Sequence, residues 1–125
     1  MFENQKVLVT GGSGFLGTNL LLRLLAENTH IRSTLHQSPA QISNCEIDWI
    51  QCDLLSKEDC NKACEGIDVL FMCAAYTAGA MVIENAPLSL LTPNLIMNTL
   101  LLEAAYEADV KKVVFVSSNT VYPMS

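Results

Sequence analysis

Residues Val7 to Asn19 read VLVTGGSGFLGTN, and its four glycines within seven positions constrain this chain more than any other stretch. Glycine costs about 0.5–1 kcal/mol relative to alanine inside a regular element, so such a cluster needs a conformational or steric reason. Before it, KVLVT (Lys6 to Thr10) is a valine-rich apolar run of the kind that forms a strand buried on both faces. After it, Leu16, Leu20, Leu21, Leu24 and Leu25 recur at helical spacing and predict a helix over Phe15 to Glu27. Gly11, Gly14 and Gly17 therefore form GxxGxxG between a strand and a helix. In that setting the first glycine turns the chain sharply, the middle one lets backbone approach a pyrophosphate, and the last lets helix and strand pack closely. Helix N-terminal amides then face the anion. A purely structural turn is the simpler alternative.

Strand and helix signals alternate along the rest of the chain. Ile31 to His36 reads as a less apolar second strand, Gln37 to Glu46 as a polar loop, and Ile47 to Asp53 as an alternating third strand. Ser56 with Asp59 resembles a capping box opening a helix over Lys57 to Glu65, which Gly66 closes. Asp68 to Ala75 predicts a fourth strand. A long helix from about Leu88 to Ala108 follows, kinked or restarted where Thr92 can cap and Pro93 can sit in a first turn. Lys111 to Ser118 predicts a fifth strand. Short connections between doubly apolar strands imply an α/β fold, a Rossmann-like doubly wound parallel sheet of about five strands covered by helices. Right-handed crossovers give the order 3-2-1-4-5, with a switch point between strands 1 and 4 beyond which a ligand binds.

Composition excludes other classes. The 125 residues suffice for one domain, and 50% hydrophobic against 16% charged residues excludes disorder. A net charge of −6 without a basic run argues against a nucleic-acid partner. Arg23, Glu103 or Glu107 interrupts each apolar stretch before the roughly 18–20 residues that a membrane span needs. Glu3, Asn4 and Gln5 stand where a signal peptide would be basic. No membrane association and a cytoplasmic location are expected. The five cysteines, at 45, 52, 60, 64 and 73, contain no CxxC pair, which argues against disulfides and a metal site. Cys60 and Cys64 share a helix face, where packing is the plain explanation.

TGGSGFLG, Asp53-Leu54, CAA at Cys73 to Ala75 and VVFVSSNTVYP from Val113 to Pro123 together resemble the extended short-chain dehydrogenase/reductase family, the NAD-dependent epimerase/dehydratase group. These motifs span almost the whole chain in the family's order. AYTAGAMVIENAP (Ala75 to Pro87) followed by SSNTVYP is similar to the GDP-fucose synthase and GDP-sugar epimerase branch, with UDP-sugar epimerases left open. The resemblance implies that Gly11, Gly14 and Gly17 contact the pyrophosphate, with Ser13, Phe15 and Leu16 supplying amides or covering the ligand. Asp53 would accept from the adenine amino group and Leu54 would act through its backbone, a strand-end cap being the alternative for Asp53. Ala74 and Ala75 would let the cofactor ribose lie against strand 4, with core packing as their alternative. Asn94 matches the helix asparagine that supports the active-site backbone, or else is an exposed helical asparagine.

Cofactor choice departs from the simplest pattern. An NAD enzyme usually carries Asp or Glu at the end of strand 2. Here that end reads TLHQ, with His36 in the place of the carboxylate. NADP is slightly favoured over NAD, with Arg32 or His36 as the group that attracts a 2′-phosphate and a solvated strand end as the alternative.

In the family a serine after strand 5 polarises the substrate carbonyl, a tyrosine transfers the proton and a lysine depresses that tyrosine's pKa. An unperturbed tyrosine near 10 needs such a cation to act as a base at neutral pH. Ser118 matches the catalytic serine, with Ser117 as its neighbouring alternative, and Thr120 matches a substrate-contacting position; turn formation is the bland reading of both serines. The YxxxK pair is absent: Ala80 stands four residues after Tyr76, Val110 four after Tyr106, and Tyr122 lies in the family's VYP element. The resemblance therefore implies that residues 1–125 are an NAD(P)-binding domain, the N-terminal part of a longer enzyme acting on a nucleotide-linked sugar, inactive by itself. A non-catalytic dinucleotide-binding or redox-sensing module and a reductase of a non-sugar ketone, such as a steroid or flavonoid, remain as alternatives. A fifth strand lacking its usual cover exposes apolar surface and a sheet edge. Homodimerisation or looser self-association is expected, and sedimentation at high concentration that returned a monodisperse monomer would contradict it.

Overall fold

The computed structural model describes residues 1–118. In β1 (Lys6–Thr10), Val7 and Val9 face one apolar core and Leu8 the opposite one, all three fully buried. This is the two-residue alternation of a strand covered on both faces. The chain continues through α1 (Phe15–Leu25), β2 (His30–Leu35), β3 (Ile47–Gln51), α2 (Lys57–Cys64), β4 (Val69–Met72), α3 (Ala80–Asn85), α4 (Leu88–Glu107) and β5 (Lys112–Phe115). All strands pair in parallel in the order β3-β2-β1-β4-β5. Leu21 and Leu24 of α1 pack with Val7, Val9, Ile31 and Val69 on one face. On the other, Cys60 and Cys64 of α2 and Met97, Leu101 and Ala105 of α4 pack with Leu8, Leu70 and Met72. The result is the doubly wound α/β layer expected from the sequence.

Several element ends differ from expectation, with identifiable causes. β4 stops at Met72 because the Cys73 and Ala74 N–H groups donate to the Thr10 hydroxyl (3.2 and 3.3 Å) instead of to a ladder carbonyl. β3 stops at Gln51, and the Asp53 N–H donates to the Asp59 carboxylate (2.8 Å). Only half of the expected capping box forms. Ser56 Oγ accepts from the Asp59 N–H (3.3 Å), while the Asp59 side chain reaches back to Asp53. Helix α2 ends at Cys64, and Gly66 follows with φ +70°, a conformation that glycine adopts without strain. The short α3 carries no strong periodicity and was not expected.

Helix α4 runs unbroken from Leu88 through Pro93, so the expected restart at Thr92 does not occur. Pro93 sits early in the helix, where its missing N–H removes a single bond, and the buried stripe from Met97 to Ala105 holds the remainder on the sheet. By length and composition alone α4 is long and apolar enough to cross a membrane, with the expected Glu103 and Glu107 lying inside it. Here its inner face packs on the sheet, and Lys57 of α2 bridges to its Glu103 (2.6 Å) and Glu107 (3.7 Å). At the far edge β5 is largely uncovered: Val113 and Phe115, and Val116 just after the strand, are exposed, as expected for a fifth strand that lacks its usual cover.

Three thiols lie inside the α2 side of the core. Burial is the main cause that pushes Cys52 up to about 12 and Cys60 and Cys64 to about 11, from an ordinary 9.0. The unfolded thiols ionise first, so the stability these groups confer is complete below pH 9 and is lost as pH rises towards 11–12. Urea unfolding followed from pH 8 to 11 should show falling stability above pH 9, with a shallower fall for Cys52→Ala.

Candidate functional site

At the carboxyl end of the sheet, β1 and β4 part, and the Thr10 side chain holds the two ends in place. Its hydroxyl donates to the Phe71 carbonyl (3.4 Å) besides accepting from Cys73 and Ala74. The chain then turns at Gly11, with φ +70° and its N–H donated to Thr34 Oγ1 (3.1 Å). A Cβ at Gly11 would lie 2.7 Å from the Ala74 Cα. One at Gly17 would overlap the Gly11 carbonyl, and one at Gly12 the Ser33 hydroxyl. Those three glycines are demanded by packing within the protein. Gly14 differs: its only neighbour within 4 Å would be the Gly11 oxygen, at 3.3 Å.

Gly14 is the N-cap of α1, exposed and without a side-chain cap bond, and no acidic residue occupies the first turn. Neither a capping side chain nor a first-turn carboxylate compensates the positive end of the helix. Phe15 and Leu16 are exposed beside it. From this turn a cleft of about 210 Å³ runs across the ends of β1, β2 and β4. Gly11, Ser13, Ala74, Ala75 and Tyr76 form one part of its wall, Thr34, His36, Gln37 and Ser38 another, and Cys52, Leu54 and Met97 a third. No carboxylate, lysine or arginine is among these residues. Cys52, its thiol held far above neutral pH, is a neutral wall and not a nucleophile.

Of the residues singled out from the sequence, Gly11, His36, Leu54, Ala74 and Ala75 line this cleft, Gly14, Phe15 and Leu16 stand at the helix end, and Gly17 is buried beneath it. Asp53 precedes Leu54 and accepts from the Leu55 N–H (3.0 Å), the geometry of a strand-end turn. Asn94 lies outside the wall but clasps Tyr76: it accepts from the Tyr76 N–H (3.0 Å) and donates to the Tyr76 carbonyl (2.8 Å) and to that of Leu90 (2.8 Å). Ser118 follows β5 and is exposed; Thr120 and Tyr122 lie outside the described residues. Arg32 is withdrawn from the cleft, since its guanidinium pairs with Asp48 (2.9 Å) and donates to the Ala63 (3.1 Å) and Glu65 (2.9 Å) carbonyls. Thr10, Gly12, Ser33, Thr34 and Tyr76 were missed. Adjacent Ser33 and Thr34 in an inner strand were the available signal, since buried hydroxyls require partners.

The family model of NAD-dependent epimerases/dehydratases matches residues 7–125. The chain belongs to that family. Its relatives include the 3 beta-hydroxysteroid dehydrogenase/Delta 5-->4-isomerase of Mycobacterium tuberculosis, 33% identical over 95% of this chain and 33% of the relative. GDP-mannose 3,5-epimerase of Arabidopsis thaliana is 27% identical over 97% of the chain and 33% of its own length. Among solved structures, MoeE5 in complex with UDP-glucose and NAD superposes with a TM-score of 0.81 at 28% identity, over 96% of this chain and 38% of that one. The chain thus spans about a third of the curated relatives it matches and carries the family's NAD-binding Rossmann module.

Gly14 and Gly17 differ in what an added methyl group would meet. Gly14→Ala should leave the thermal midpoint nearly unchanged while weakening dinucleotide binding at least tenfold. Gly17→Ala, which overpacks α1 against β1, should lower stability by about 1–3 kcal/mol or prevent folding. Thermal melts paired with cofactor titrations separate the two effects.

Proposed function

We propose that this chain is the NAD(P)-binding portion of an enzyme that moves a hydride between nicotinamide and a carbon of a nucleotide-linked sugar, during epimerisation, dehydration or reduction. The observation that carries the reading is the N-terminus of α1, which has neither a side-chain cap nor a first-turn acid and whose capping Gly14 has no close neighbour beyond one carbonyl. A pyrophosphate supplies the missing negative charge and acceptors. In this reading Gly11 and Gly14 admit the pyrophosphate, Phe15 and Leu16 cover it, and Gly17 keeps the helix end in place. Ala74 and Ala75 leave room for a ribose, and Asn94 fixes the backbone of Tyr76 next to them. Asp53 and Leu54 take the adenine edge. The nicotinamide supplies the hydride acceptor and donor. Ser118 hydrogen-bonds the carbonyl oxygen of the substrate, and Thr120 contacts the substrate itself.

With Arg32 committed elsewhere, His36, Gln37 and Ser38 are the polar side chains at the end of β2, and all three donate without adding negative charge. NADP is accordingly favoured over NAD. The 125 residues bind cofactor without turnover, in a cytoplasmic protein that associates with itself through uncovered apolar surface. A second reading, hydride transfer at a steroid ketone, is favoured by the 33% identity to the mycobacterial 3 beta-hydroxysteroid dehydrogenase/isomerase.

Titration with NADPH and NADH, read by nicotinamide fluorescence, tests the cofactor assignment. Tighter binding of NADPH is expected. His36→Asp should weaken NADPH about tenfold or more, equivalent to about 1.4 kcal/mol, and leave NADH little changed. Failure of either dinucleotide to bind the native chain overturns the proposal.

A further inference from the structure

The turn joining β3 to α2 is tied together by several hydrogen bonds of its own. The Asp53 carbonyl accepts from the Ser56 N–H (2.9 Å), and Asp53 Oδ1 accepts from the Leu55 N–H (3.0 Å). The Leu54 carbonyl takes the Cys60 thiol (3.4 Å), and the Ser56 carbonyl takes the Cys60 N–H (3.0 Å). The remaining bond is the one from the Asp53 N–H to Asp59 Oδ2 (2.8 Å), which spans the turn from strand end to helix. Between the end of β3 and the first residues of the turn, the Leu54 N–H, a donor, and Asp53 Oδ2, an acceptor, stand side by side without a hydrogen-bond partner among the described residues. Leu54 lines the cleft. The Watson–Crick edge of adenine carries the complement, an N1 acceptor beside an N6 donor.

Asp59 is fixed for this task from both ends. Its own N–H donates to Ser56 Oγ, and it lies in the first turn of α2, where a carboxylate is stabilised by the helix N-terminus. A charged acceptor on an N–H forms a stronger bond than a neutral one. That bond sets where Asp53 sits.

We propose that Asp59 is a positioning residue that selects adenine: by holding the Asp53 N–H it keeps the Leu54 N–H and the free Asp53 oxygen in register with the adenine edge. It touches no ligand atom and acts through Asp53. The sequence pattern pointed to Asp59 only as part of a helix cap, and the structure gives its side chain a different partner. The inference rests on the dinucleotide-binding reading above and adds the origin of base recognition.

The test compares reduced cofactors that differ only at the base, adenine against hypoxanthine, which lacks the amino donor and presents an N1–H instead of an acceptor. The native chain should bind the adenine form at least tenfold more tightly. Asp59→Ala should compress that ratio to threefold or less, chiefly by weakening the adenine form. Asp59→Asn keeps an acceptor for the Asp53 N–H and should restore most of the ratio, with a fold verified by the same thermal melt. A merely structural role would weaken both cofactors equally and leave the ratio intact, which overturns the proposal, as does an unchanged ratio at unchanged affinity. If the native chain binds neither cofactor, the dinucleotide reading itself fails and takes this proposal with it. If it binds both and Asp59→Ala discriminates as before, only the role of Asp59 fails.

Discussion

Everything at the carboxyl end of this sheet depends on backbone meeting backbone without side chains between. The Gly17 Cα rests on the Gly11 carbonyl, and Gly11 in turn rests on the Cα of Ala74. Those contacts bring α1 down onto β1 and bring β1 against the end of β4, so one turn of chain sets the position of three elements. A methyl group at either glycine would push the helix end away from the sheet. The N-terminal end of α1 is therefore placed by packing and needs no charged residue to define it.

Hydroxyl groups complete what the glycines begin. Thr10 links β1 to β4, Thr34 holds the Gly11 N–H, Ser33 donates to the Val9 carbonyl (2.9 Å) and Thr18 donates to the Gly12 carbonyl (3.0 Å). Each partners a backbone group in the turn or at the strand ends beside it, where an unpaired buried group costs about 1–3 kcal/mol. Small polar side chains fit here because they fill little volume beside Gly12 and Trp49. A loop so fixed offers its remaining amides to a ligand without first having to order itself.

The sheet order and the glycine turn were legible because they follow from signals that are local and strong: continuous apolar runs in β1 and β4, helical spacing in α1, and right-handed crossovers. Tertiary decisions were not legible in the same way. Whether Pro93 ends a helix depends on the stripe from Met97 to Ala105 packing on the sheet, and whether Asp59 caps its own helix or the preceding turn depends on where Asp53 stops pairing. Arg32 was a candidate phosphate ligand while only its strand was known. The partners that claim it, Asp48 and the last carbonyls of α2, are far from it in sequence. The hydrogen bonds of Asn94 to Tyr76 give the predicted asparagine a definite place, whereas Thr120 lies outside the described residues.

A cleft whose wall, among the described residues, holds no carboxylate, lysine or arginine offers no strong fixed charge there by which to choose among dinucleotides. Selection must come from the direction of individual donors and acceptors, and their energies fall steeply with misalignment. Placement then matters more than residue type at the wall. Leu54 contributes an amide that any residue but proline carries, and its usefulness comes from the bonds that hold its neighbours: Asp59 to Asp53, Cys60 to the Leu54 carbonyl, Ser56 to Asp59. The same logic extends to the end of β2, where Gln51 on β3 donates to the carbonyl of His36 and thereby fixes the backbone from which the imidazole projects. Substitutions one residue removed from the wall should therefore alter cofactor choice as strongly as substitutions within it.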